Sequence, residues 1–136
     1  MKPALKLLAG FTLFVFLVFS PLRANLIASV ATHPALDKLA SATLLETATE
    51  HDPCNWSILE KLGDAWFMQR QFMMAARAYG RGLTCSPGAA VFRFKYGESI
   101  LGMGFIQGRD PILDALKLEP HDPIIQNEVE RTKAFQ

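Results

Sequence analysis

Three prolines, Pro53, Pro87 and Pro120, stand 34 and 33 residues apart, and other positions keep the same step. Ala48, Gly82 and Ala115 follow it, and Leu62-Gly63 recurs as Tyr96-Gly97. A period near 34 is the mark of stacked helical hairpins, each too small to cover its own apolar face. The period therefore points to an all-α fold class, an α-solenoid of antiparallel helix hairpins.

The local signals agree with that period. Leu59, Leu62, Gly63 and Trp66 fall on one helical face, and Phe72, Ala75, Ala76, Tyr79 and Leu83 fall on another. No sustained alternation of β-branched residues argues for strands. Asp52-Pro53, Ser86-Pro87, Asp110-Pro111 and Asp122-Pro123 each put a capping side chain before a proline. That pair suits a helix start, because the side-chain oxygen accepts a free N–H and proline lacks the N–H that would go unpaired. The signals predict helices over 34–50, 54–69, 71–84, 87–103, 109–118 and 122–135, with short connections that make neighbours antiparallel.

The N-terminus has a different character. Lys2 and Lys6 precede an uncharged apolar run from Leu7 to Phe19, which Ser20, Pro21 and Arg23 close. This is the layout of a signal peptide, with Ala24 and Ala31 as candidate cleavage points, or of a retained membrane anchor. Residues 1–31 are accordingly assigned to a signal peptide or N-terminal anchor and 34–136 to the helical repeat domain. Either reading leaves the lysines inside and sends the repeats across. The domain is then membrane-anchored on the non-cytoplasmic side, or secreted or periplasmic.

Charge narrows the partners. Lys2, Lys6 and Arg23 are three of the 14 basic residues, so the remaining chain carries 11 basic against 13 acidic residues, a net −2. A nucleic-acid binder would show a basic footprint, and none is expected here. No Cys-x-x-Cys or Cys/His set resembles a metal site, and no cofactor is expected. His51-Asp52 and His121-Asp122 lack an accompanying nucleophile, and their aspartates read as caps. Met68, Met73, Met74 and Met103 read as core filler. The chain is expected to bind rather than catalyse. Cys54 stands at the start of one helix and Cys85 at the end of the next, so an antiparallel hairpin brings them together as a candidate disulfide; the alternative is two inert thiols.

Leu59-x-x-Leu62-Gly63-x-x-Trp66, followed by Ala75-x-x-x-Tyr79 and Pro87, resembles a complete tetratricopeptide repeat. Leu59 stands where that family favours tryptophan. Tyr96-Gly97, Ala115 and Pro120 outline a weaker second unit, in which Arg93 replaces a large apolar residue. Half units flank the two, before Pro53 and after Pro123. The resemblance implies a concave face, lined by the first helix of each unit, that holds a segment of another protein. Glu60, Asp64, Phe67 and Met68 would supply it from the first unit, Val91, Phe94, Glu98 and Leu101 from the second, and Ile124 and Asn127 from the last helix. Its acidic tint suits a partner with basic and apolar side chains, and Glu60 and Asp64 oppose a clamp for a peptide carboxylate. The expected role is an adaptor or complex-assembly factor of the cell envelope. The alternative is a structural subunit of a membrane complex with a retained transmembrane helix. An uncapped end would also permit a homo-oligomer.

Overall fold

The computed structural model describes Val15 and residues 19–133, all helical or in connections, with no strand among them. The apolar run lies outside the described residues except for Val15 and Phe19. Among the described residues no helix is long and apolar enough to cross a membrane. The helices are α1 (residues 19–31), α2 (Lys38–His51), α3 (Trp56–Met68), α4 (Phe72–Cys85), α5 (Ala90–Gly102), α6 (Arg109–Leu118) and α7 (Pro123–Lys133). A 3₁₀ turn, Ile106–Gly108, precedes α6. The chain divides into two compact units at Ile58 and Leu59, inside α3.

In the first unit, Ser20 Oγ donates to the His51 carbonyl, and Asn55 Nδ2 donates to Asn25 Oδ1 at 3.4 Å. Ser20 and Asn25 of α1 thus meet the end of α2 and the turn after it, as in an antiparallel hairpin. Ala24, Ala28 and Ala31 on α1 are buried, as are Ala42, Leu45 and Ala48 on α2. Helical structure therefore begins before residue 34, and the half unit expected ahead of Pro53 has a helix in front of it.

The second unit is packed through close helix approaches. Leu59 and Leu62 of α3 and Ala75 and Tyr79 of α4 are buried, and Trp66 packs against their cluster. A Cβ on Gly63 would overlap the Tyr79 ring, so only glycine lets α3 and α4 come this close. At Gly97 an added Cβ would lie 2.6 Å from Ile112 Cγ1, which sets the α5–α6 approach in the same way. Phe92 lies against α4, and Tyr96 packs on the same cluster. Ala90, Phe94, Ile112, Ala115, Ile125 and Val129 form a second cluster joining α5, α6 and α7.

The proline signals act differently from the prediction at three of the four sites. The Asn55 N–H donates to the Asp52 carbonyl, Ala89 to Ser86 and Asp122 to Glu119, at 3.1–3.3 Å. Pro53, Pro87 and Pro120 are each the second residue of these four-residue turns, where a fixed φ is favoured. The fourth residue of each turn immediately precedes the next helix, so α3 and α5 start later than predicted. Asn55 Oδ1 caps α3 by accepting from the Ile58 N–H at 3.3 Å, and Asp122 Oδ1 caps α7 through Ile124 at 2.8 Å and Ile125 at 3.2 Å. Asp110 lies inside the first turn of α6 and makes no cap. Arg93, out of place as a core residue, instead donates twice to the Pro87 carbonyl, at 3.2 and 2.8 Å.

Neither cysteine is free: Cys54 and Cys85 are both disulfide-bonded.

Candidate functional site

Residues one period apart occupy the same face of successive first helices, so α3 and α5 place charged side chains side by side. Lys95 Nζ lies 2.8 Å from Glu60 Oε1 and 2.8 and 2.9 Å from the two Asp64 oxygens. Tyr79 OH donates to Asp64 Oδ1 at 2.6 Å, and the ammonium lies 5.9 Å from the Tyr79 ring centroid. Burial alone would push Lys95 down, but its hydrogen bonds to Asp64 and Glu60 outweigh this and hold the ammonium above its ordinary value. Burial, with the Asp64 carboxylate beside it, pushes the Tyr79 phenol far up. Lys95 was not foreseen in this face; its separations of 35 and 31 residues from Glu60 and Asp64 were the available signal. Two of the expected groove carboxylates are thus bonded from within the chain to one shared ammonium.

Beside this network lies an open groove of about 910 Å³. Of the residues named from sequence, Phe67 and Met68 of α3 and Glu98 and Leu101 of α5 line it. Phe67 and Phe72 meet edge to face in its wall, with ring centroids 5.2 Å apart. From α7 the lining is Glu128, Arg131 and Thr132, one helical face away from the expected Asn127, which is exposed and outside the lining. Phe105 and Ile106, from the turn after α5, and Arg70, from the turn after α3, complete it. None of these turn residues follows a helical pattern, so periodicity could not find them.

Phe94, Val91 and Ile124 also lie outside the lining, and Ile124 is exposed. Phe94 is buried in the cluster with Ile112 and Val129, because its turn of α5 faces α6 and α7. Val91 packs against the Tyr79 and Phe92 cluster. Met68 and Met73, read as core filler, are 73% and 71% exposed.

Inside the groove the charges are unequally satisfied. Glu128 is buried and accepts from Arg131, at 2.6 Å from Nη2 and 3.2 Å from Nε. Glu98 has no ion pair or side-chain hydrogen bond among the described residues. Burial pushes its carboxyl up, and the Glu128 carboxylate pushes it further, against the pull of Arg131 and Lys95. No cluster of three or more His, Cys, Asp or Glu side chains that would hold a metal occurs among the described residues.

The chain aligns with the OM64 domain of Arabidopsis at a TM-score of 0.76 over 86% of its length and 99% of that domain, at 11% identity. This is the tetratricopeptide-repeat fold. The first such domain of Spaghetti (RPAP3), solved with the HSP90 peptide SRMEEVD, aligns at a TM-score of 0.74 over 82% of this chain and 91% of that one, with 13% identity. The Sgt2 domain of Aspergillus fumigatus aligns at 0.72 over 82% and 77%, with 15% identity. No family profile matches the sequence, and no curated protein matches it by sequence.

Proposed function

We propose that this tetratricopeptide domain is a protein-interaction module that seats a segment of a partner protein in the groove of α3, α5 and α7. The observation that carries this is the grouping of three exposed large apolar side chains, Met68, Phe105 and Ile106, in one open groove. Clustered exposed apolar surface marks a docking site more often than scattered residues do. Two structural neighbours support the mode of binding. One is the Spaghetti (RPAP3) domain with its HSP90 peptide, and the other is the second human RPAP3 domain, solved with the HSP70 peptide SGPTIEEVD at a TM-score of 0.68. The role is binding, with no catalytic step.

The same reading places the module in the cell envelope as an adaptor for complex assembly, with the N-terminal apolar segment as a retained anchor and the repeats on the non-cytoplasmic side. Retention is favoured by α1. Cleavage after Ala24 would cut a helix hydrogen-bonded to the segment after α2, and cleavage after Ala31 would remove it. Retention also suits a fixed subunit of a membrane complex, the second reading.

The test is affinity purification of the full-length tagged chain from detergent-solubilised membranes, beside a Leu101→Glu variant, with the recovered proteins identified by mass spectrometry. A stoichiometric partner held by the native chain and lost from the variant is the expected result. Equal recovery by both would remove the groove from the account.

A further inference from the structure

We propose that the groove selects a segment carrying a lysine or arginine beside apolar residues, with Glu98 as the residue that determines this specificity. The inference rests on the groove being a peptide site and goes further by naming the chemistry of its occupant.

The charge inventory carries it. Glu60 and Asp64 are both occupied by Lys95, and Glu128 by Arg131. Glu98 lines the groove, is half-buried, and has no ion pair or side-chain hydrogen bond among the described residues. The charged groups acting on it are Glu128 and Asp64, which repel its carboxylate, and Arg131 and Lys95, which attract it without pairing. A ligand cation at Glu98 would form a charge-assisted hydrogen bond and relieve the repulsion from Glu128. A ligand carboxylate there would add a third negative charge in a partly dehydrated site. Arg70 also lines the groove, but it is exposed, where water screens its charge. Leu101 lies three residues beyond Glu98 on α5, so the cation-binding group and the apolar wall are neighbours. The acidic peptides held by the structural neighbours do not suit this arrangement.

The test is a positional-scanning library of acetylated, amidated nine-residue peptides offered to the full-length chain in detergent micelles, with Glu98→Gln and Glu98→Asp variants in parallel. The native chain is expected to enrich lysine or arginine flanked by apolar residues. Glu98→Gln should weaken the selected basic peptide about ten-fold and leave the apolar preference, while Glu98→Asp keeps both. Lowering the pH through the Glu98 carboxyl should weaken that peptide on the native chain and not on Glu98→Gln. Enrichment of acidic residues, no charge preference, or a basic preference unchanged in Glu98→Gln would overturn the proposal while leaving a peptide groove in place. Retention of no peptide by any of the three proteins would overturn the groove itself.

Discussion

Lys95 Nζ stands 2.8 Å from Asp64 Oδ1 across the α3–α5 face, and this ammonium, which also bonds Glu60, pairs with carboxylates that the repeat resemblance assigns to ligand binding. Both side chains retain contact with water, so the pair is screened, yet Lys95 also holds Glu60 and sits over Tyr79. Lys95→Met should cost about 1–2 kcal/mol in urea unfolding at neutral pH. Because Lys95 is held above its ordinary 10.5, this stability is fully present below that value and is lost as pH rises through the higher folded value. The variant should therefore lose less stability than the native chain above that pH. Equal alkaline slopes would contradict the pairing.

Glu98 works in the opposite direction. Its carboxyl is raised above the ordinary 4.5, so the folded state holds a proton that the unfolded chain has released. Native stability should fall as pH rises from about the unfolded value through the folded one. Glu98→Gln is expected to abolish that step, raising the melting temperature at neutral pH and leaving it unchanged in acid. Thermal scans by circular dichroism at the two pH values decide it.

Gly63 and Tyr79 share one space. Gly63→Ala should destabilise by about 1–3 kcal/mol, because the added methyl would overlap the buried Tyr79 ring, whose hydroxyl is bonded to Asp64. Tyr79→Leu in the same chain should recover part of that loss. Denaturant melts of the two single variants and the double variant should show a coupling of at least about 0.5 kcal/mol.

Arg70 follows α3 with φ +61°, a left-handed conformation that glycine adopts more readily. The Gln71 N–H reaches back to the Trp66 carbonyl at 3.0 Å and the Arg70 N–H to Phe67 at 2.9 Å, the closing pattern that places this residue there. Arg70→Gly is expected to stabilise the fold by about 1 kcal/mol in the same melts. A destabilised variant would mean that the arginine side chain contributes more than its backbone costs.

Cys54 and Cys85, the two cysteines of the chain, should form one bond that survives non-reducing mass analysis of the isolated protein. Reducing it should lower stability by about 3–4 kcal/mol, the chain-entropy value for a loop of about thirty residues. Two free thiols in the isolated protein would contradict this.

The repeat period was legible because it comes from packing that recurs: Gly63 under Tyr79, Gly97 against Ile112, and a proline in each inter-repeat turn. The predicted helices over 71–84 and 109–118 agree with α4 and α6 to within a residue. The starts of α3 and α5 were placed early because aspartate or serine before proline suits a turn as well as a cap, and only the hydrogen bonds distinguish them. The helix over residues 19–31 was hidden by the apolar run before it, which reads as a targeting signal. The groove was half legible. Phe67, Met68, Glu98 and Leu101 follow from helical phase, but Arg70, Phe105 and Ile106 come from turns, and the pairing of Lys95 with Glu60 and Asp64 depends on a contact between repeats.

The central claim is that the groove of α3, α5 and α7 is where a partner segment sits. The most direct measurement places a photo-crosslinking amino acid at Met68, with Leu113 on α6 as control, in the full-length chain in its native membranes, and sequences the crosslinked peptide. The account predicts a single adduct at Met68, to a partner segment with lysine or arginine beside apolar residues, and none at Leu113. Equal crosslinking at both positions, or an adduct at Leu113 alone, would contradict it.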